Sequence, residues 1–588
     1  MSTSYQAPLH DMLFAMREVG GLSTIQASRD DFDDELVEAI LGEAARFASE
    51  VLAPTNRSGD VQGCRWDGGQ VATADGFRAA FDAFRDAGWF AMPSPAELGG
   101  QSAPTLVSTA VLEMWKSANL AFSLCQMLTL GAVEAIRRHA SPELCRRYLE
   151  PMAAGRWTGT MNLTEPQAGS DLAAIRTRAV PEGDHYRITG TKIFITWGEH
   201  DMAENIVHLV LARLPDAAPG VKGISLFLCP KFLVEDDGRL GARNDLVCAS
   251  IEHKLGIHGS ATAVMSFGEG DGAIGWLVGE AGQGLACMFT MMNHARLNVG
   301  LEGVAIAERA YQQARGYALE RVQGRTLGRA EGEASTGIVG HPDVRRMLMD
   351  MKSRTEAMRA LAYYAAGQMD LAHGGADTDA AAMVDLLIPV VKGWCTESAL
   401  AVTSAAIQVH GGMGYVEETG VAQHFRDARI TTIYEGTTAI QANDLIGRKI
   451  RRDRGATLQR LLAAMRADAA TIAAHPDPLL QRIAGSLAAG VAELERAGAW
   501  LLDADEREAA AGAVAFLQLT GTVTAGWLMA RAAEAATAQL GSGGDDWLAA
   551  KRATALHYAV HTLPQAAAWA LSAVDGAVST LALHDGQF

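Results

Sequence analysis

The feature that most constrains this chain is a change of texture in its middle. From about residue 156 to 280 it runs in short β-branched segments such as "HYRITGTKIFIT", "NIVHLVLARL" and "KGISLFLCP", punctuated by Gly, Pro and Asp. Such runs between turn formers are read as strands, whereas the flanking sequence spaces its apolar residues three or four apart, which places them on one helix face. The order is helices, strands, helices, helices. That order lacks the strand-helix alternation of a parallel nucleotide-binding sheet, and the chain has neither a Walker loop nor a GxGxxG following a strand. Any nucleotide cofactor has to be gripped in another way.

At 588 residues the chain is too long for one hydrophobic core. The texture divides it into an N-terminal extension (1–35), an N-terminal helical domain (36–157), a β domain read as a small sandwich or barrel (158–282), a helical bundle (283–450) and a C-terminal helical domain (451–588). The fold class is therefore mainly α with a central β domain. In the bundle, Leu297, Leu301, Val304, Ala307, Tyr311, Ala314 and Ala318 mark the buried stripe of one long helix. The Ala-rich C-terminal segment carries no cluster of polar groups placed for chemistry, so a packing role is expected.

A formal net charge of -18 argues against a nucleic-acid partner. Seven scattered cysteines without a CxxC pair argue against a disulfide framework, structural zinc or an iron-sulfur cluster, and no metal is expected. The N-terminus has no basic segment followed by an apolar core, and the apolar run "AAMVDLLIPVV" is short and carries Asp385. A soluble cytoplasmic protein without membrane insertion is expected.

Three stretches carry candidate chemistry. In "MNLTEPQAGSDLAAIRTRA", turn residues expose backbone amides beside the hydroxyls of Thr164 and Ser170, which suits a polar planar or phosphorylated ligand. In "GTKIFITWGEHD", strand alternation points Phe194 and Thr196 to one face. In "RDARITTIYEGTTAIQANDLIGRKI", the β-branched Ile430–Ile433 predict an extended chain, and Thr438 with Gln441 reads as a capping box opening a helix. Glu435 sits at that joint, the only charge between Arg429 and Asp444. The basic run "GRKIRRDRG" beyond it reads as a solvated helix end, with Arg448 alone considered functional.

Together "LTEPQAGSD", "KIFITWGEHD", "ALERVQGR", "QVHGGMGY" and "IYEGTTAIQ", in this order and spacing, resemble the acyl-CoA dehydrogenase flavoproteins over roughly residues 80 to 450. The N-terminal extension and the extra C-terminal domain resemble the long bacterial subclass of that family. The resemblance implies a helical domain, a β domain and a four-helix bundle that grip FAD, part of it contacted by a neighbouring subunit. By matching positions Met161, Leu163, Thr164, Phe194, Ile195 and Thr196 would meet the flavin. Arg321, Gln408, Gly411 and Gly412 would hold the dinucleotide end across a dimer interface, and Thr437 would bind from the same subunit as Glu435. Ser170, Asn293, Arg296, Tyr434, Gly436 and Arg448 would contact the acyl-CoA, and Phe122, Ser123 and Gln126 would floor the acyl pocket.

The reaction so implied is α,β-desaturation: Glu435 removes the α-proton of the thioester while flavin N5 accepts the β-hydride. A weakly acidic α-proton needs an aimed, partly desolvated base, and burial raises a carboxyl toward the working range. An electron-transfer flavoprotein is the implied acceptor and a homodimer the implied assembly. Two alternatives share the fold: an acyl-CoA oxidase that hands electrons to oxygen, and a flavin-containing protein that associates with DNA.

Overall fold

The computed structural model describes residues 5–29, 31–327, 337–373, 377–540 and 545–588. Its contacts group into two units. A β unit comprises Arg46–Pro104 and Ala118–Ala295, and a helical unit comprises Met1–Ala45, Thr105–Ser117 and Arg296–Phe588.

In the β unit, eight strands form the main sheet: β1 Trp157–Asn162, β2 Arg178–Glu182, β3 His185–Thr196, β4 Asn205–Arg213, β5 Ile224–Pro230, β6 Leu246–Ile251, β7 Thr262–Phe267 and β8 Ala273–Val278. Their order is β6-β7-β3-β8-β5-β4-β1, with β2 pairing both β3 and β4. Strands β4 and β5 are buried along nearly their whole length, which is why "NIVHLVLAR" reads as a continuous apolar run. Beneath the sheet, Ile136, Tyr148 and Met152 pack on Leu209, Leu226 and Leu228. The helix Leu120–His139 is capped by Asn119, whose side chain accepts from the Phe122 amide. Phe122 lies in an aromatic cluster with Phe77, Phe81 and Phe84. Ser123 donates to the Leu120 carbonyl at 2.8 Å and Gln126 Nε2 to the Trp89 carbonyl at 3.1 Å, while Gln126 Oε1 is buried without a partner among the described residues.

The helical unit is built on Pro342–Ala372, Thr378–His410 and the part of Gly284–Glu320 from Arg296 onward. The predicted stripe is buried except for Tyr311, which keeps some surface. The C-terminal helix Glu506–Gln539 packs on this bundle where Gly521 meets Trp394; a Cβ there would stand 2.2 Å from the indole. Packing, as expected, is what this region does. Arg451 departs from the solvated helix end read from "GRKIRRDRG": its guanidinium donates to the carbonyls of Leu501 (2.9 Å) and Ala504, satisfying the C-terminus of Pro478–Asp503.

Two expectations are corrected here. Leu120–His139, Thr378–Tyr415 and Glu506–Gln539 are each long and apolar enough to cross a membrane, so the apolar run around Asp385 belongs to a longer segment than the sequence suggested; 78% to 83% of these windows is buried within the protein. Residues up to Thr431 are helical, in Val421–Thr431, and not extended. Val421, His424, Ala428 and Thr431 recur three or four apart and are buried, and that face outweighs the β preference of Ile430 and Thr431. All seven cysteines are free, and among the described residues no cluster of three or more His, Cys, Asp or Glu could hold a metal ion.

Candidate active site

Glu435 lies in the loop between Val421–Thr431 and the short helix Thr438–Asn443, which runs on into a π-helical turn, Asp444–Arg451. The cap of that short helix is Thr437, whose Oγ1 accepts from the Ile440 amide at 3.3 Å. Thr438, expected to cap, instead donates to Glu397 Oε1 at 2.6 Å. Thr437 therefore has a structural duty and is not simply free for a ligand. Gln441 does not close a capping box either: its Nε2 donates to the carbonyl of Glu435 at 3.0 Å and weakly to that of Gly436 at 3.4 Å.

Those bonds hold an unusual backbone. Glu435 has φ 54° and Gly436 φ 88°, two left-handed residues in succession. A non-glycine residue so placed stores about 1–3 kcal/mol, which surrounding contacts must sustain. Gly436 is glycine because of this φ and because a Cβ would stand 2.7 Å from Gln441 Nε2. The close approach is thus to the protein's own side chain. From the other side Lys392 Nζ donates to the Gly436 carbonyl at 2.6 Å.

The isolation of Glu435 in sequence does not extend to space. Burial raises its carboxyl above the ordinary range; Arg296 and Lys392 pull it down and Glu302 pushes it up. The residue keeps some accessible surface, as a group that meets a substrate needs, and among the described residues nothing donates a hydrogen bond to its carboxylate. Arg296 is buried and donates to Asp444 Oδ2 at 2.8 Å, so it is neither a surface residue nor a cap. Arg448, more exposed, donates to the other oxygen of Asp444 at 2.6 Å. The Tyr434 hydroxyl donates to Glu302, which Lys116 also approaches at 3.4 Å. The side chain of Asn293 lies outside the described residues.

The β unit contributes a second grouping. Thr164 accepts from the Ile193 amide at 2.9 Å, which brings the two predicted stretches together. The loop after Thr164 is anchored by Glu165, whose carboxylate accepts from Lys192 Nζ (2.8 Å), the Thr177 hydroxyl (2.6 Å) and the Arg176 amide (2.6 Å). Burial pushes this carboxyl up, but Lys192 and the hydrogen bonds outweigh it and bring it down to about 2. Sequence reasoning missed both residues, although an acid and a lysine in two neighbouring motifs were visible. Phe194 has φ 60° at a bulge where the β3/β7 register shifts, so simple alternation does not set its direction. Its ring is 58% exposed. Thr196 is partly exposed and Ile195 is buried, leaving Ile195 only its backbone to offer. Met161 and Leu163 are partly buried against the core, and Ser170 is exposed.

A third grouping lies in the helical unit. Tyr317 stacks on His410 with ring centroids 4.4 Å apart, bringing the ends of Gly284–Glu320 and Thr378–His410 together. Arg321, Gln408, Gly411 and Gly412, just at those ends, are all exposed. The Arg321 guanidinium has no ion-pair partner among the described residues. An exposed guanidinium and bare glycine backbone suit a diphosphate, and an exposed aromatic residue at a strand bulge suits a planar heterocycle. The residues present fit FAD.

The comparisons agree with this chemistry. Residues 34–156, 160–269 and 282–450 match the N-terminal, middle and C-terminal domains of acyl-CoA dehydrogenases, and 461–584 match the "Acetyl-CoA dehydrogenase C-terminal like" family. The chain belongs to the acyl-CoA dehydrogenase family, and is an FAD-dependent oxidoreductase of CH-CH bonds that desaturates an acyl-CoA. It is 48% identical over 575 residues to 3-methylmercaptopropionyl-CoA dehydrogenase of Ruegeria pomeroyi, covering 96% of this chain and 97% of that protein. It is 36% identical over 589 residues to the broad-specificity linear acyl-CoA dehydrogenase FadE5 of Mycobacterium tuberculosis, covering 95% and 96%. The fold is shared with an acyl-CoA dehydrogenase of Bacillus anthracis solved with FAD, at TM-score 0.72 and 20% identity, covering 94% of this chain and 92% of that one.

Proposed function

We propose that Glu435 is the base that takes the α-proton of the acyl-CoA. The observation that carries this reading is a carboxylate of raised proton affinity, without a hydrogen-bond donor among the described residues, held in a left-handed turn by bonds to its backbone. A base must have a lone pair free of hydrogen bonds and aimed at the proton, and a pKa lifted toward the working range. The Glu435 amide has no acceptor among the described residues, so it can donate to the thioester oxygen as charge gathers there; such a donor is worth about 3 kcal/mol in other enzymes. Arg296, fixed by Asp444, keeps the base loop electrostatically balanced, and Tyr434 walls it. FAD, when bound, supplies the hydride acceptor for the β-carbon. Met161, Leu163, Thr164 and the Phe194–Thr196 segment would hold its ring and Thr437 would assist. Arg321, Gln408, Gly411 and Gly412 would hold its diphosphate end from a second copy of the chain. Ser170, Asn293 and Arg448 would contact the CoA part of the substrate.

Sequence identity over nearly the whole of both chains supports 3-methylmercaptopropionyl-CoA as substrate. A homodimer, an electron-transfer flavoprotein as acceptor, a cytoplasmic location and the domain limits 36–157, 158–282, 283–450 and 451–588 belong to the same reading. The test is anaerobic flavin bleaching against a ladder of acyl-CoAs that includes the methylthio ester. Fastest bleaching by that ester is expected, and faster bleaching by a long straight-chain acyl-CoA would overturn the substrate assignment.

A further inference from the structure

Behind the Glu435 loop, on the side of the bundle helices, lies a buried array of charge that the reaction described above does not use. Lys392, on Thr378–His410, is fully buried and its ammonium meets the Gly436 carbonyl at 2.6 Å. Glu302, on the long helix, is equally buried and accepts from the Tyr434 hydroxyl, with Lys116 3.4 Å away. Both residues immediately flanking the base, Tyr434 and Gly436, are therefore tied to ionisable groups of the bundle. We propose that Lys392 and Glu302 are positioning residues for the proton transfer, clamping the left-handed Glu435–Gly436 turn from its two sides and exerting opposed pulls on the carboxylate between them.

This rests on the reading of Glu435 as the base. A non-glycine residue at φ 54° reverts to an ordinary backbone unless its neighbours over-determine it, and here the successive carbonyls of Glu435 and Gly436 are held by Gln441 and Lys392. The electrostatics run the same way. Glu435 faces Arg296 and Lys392, which lower its proton affinity, and Glu302, which raises it. Lys392 in turn is brought down to about 8, by burial first and against the attraction of Glu435, Glu302 and Glu397, with Arg296 repelling it. Glu397 is bonded to Thr438 and Arg296 to Asp444, so neither is free to replace the clamp. Glu302 is raised by burial, against Lys116, Tyr434 and Lys392.

The experiment compares Lys392→Met, Lys392→Arg, Glu302→Gln and Glu435→Gln holoenzymes, reading the pH profile of anaerobic flavin bleaching by the preferred acyl-CoA together with FAD content. Lys392→Met moves the acid limb to higher pH and lowers the plateau rate roughly tenfold or more, as loss of base alignment does. Lys392→Arg restores part of the rate, and Glu302→Gln moves the limb to lower pH. If Lys392→Met loses flavin, Glu302→Gln alone decides. Limbs that stay at the wild-type position while Glu435→Gln is inert overturn the clamp and leave the base standing. Bleaching by Glu435→Gln at the wild-type rate instead overturns the base itself.

Discussion

Two buried charge clusters in the helical unit look alike and differ in what they leave open. Around Arg359, the guanidinium donates to Glu113 (2.6 and 2.9 Å), Asp11 (2.6 Å) and Glu308 (2.8 Å), and Tyr363 donates to Glu113 at 2.7 Å. Lys551 donates to Asp11 at 2.5 Å and to Glu356 at 2.8 Å. Every carboxylate there is bonded, and the cluster ties the helices Leu9–Glu18 and Asp546–His557 to Pro342–Ala372. Around Glu435, the supporting residues are paired with one another, and its carboxylate has no donor among the described residues. Burial pushes Asp11 up, but Lys551 and Arg359 outweigh it and hold its carboxyl below the ordinary range; at Glu113 burial wins despite the bonds from Arg359 and Tyr363, as it does at Glu435. A saturated cluster fastens elements together, and one that leaves a buried carboxylate without a donor keeps that carboxylate open for chemistry.

The largest expected effect breaks the saturated cluster. Arg359→Met leaves Asp11, Glu113 and Glu308 short of a buried partner, and loss of one member of such a network costs about 3–5 kcal/mol. Urea unfolding should register that loss, while bleaching per bound flavin in the folded fraction stays near wild type. A comparable loss of rate per flavin would erase the distinction between the clusters.

The smaller effect has the opposite sign. Because the folded-state pKa of Glu435 lies above its unfolded value, the native protein binds more protons than the unfolded chain between the two, and stability falls as pH rises through that window. Glu435→Gln removes this burden. The variant should be more stable than wild type at neutral pH, with a gain that shrinks as pH falls toward the unfolded glutamate pKa of about 4.3 and vanishes below it. A variant less stable than wild type at pH 7 would mean that the carboxylate has a partner in solution.

What could be read in the sequence differs by kind. The helix, strand, helix, helix order and the C-terminal packing region were legible because burial periodicity is local. Glu435, Arg296, Arg321, Gln408, Gly411 and Gly412 were singled out through motifs in register, and their roles belong to the proposal above. Lys392 and Glu302 were not, since they reach the Glu435 loop from 43 and 133 residues away, nor was Lys116, which approaches Glu302; all three look in sequence like ordinary helix charges. The helix ending at Thr431 was misread because β-branched propensity is a weak prior that one packed face overrides. The cap was misplaced by one residue, from Thr437 to Thr438, and the bulge at Phe194 has no local sequence signal stronger than alternation.

The most direct measurement is stopped-flow bleaching of Glu435→Gln and wild-type holoenzyme by the same acyl-CoA under anaerobic conditions. The variant should be yellow and FAD-loaded with its bleaching rate reduced by roughly 10²–10⁴-fold, the range a positioned general base supplies. Bleaching of Glu435→Gln at the wild-type rate would contradict the account.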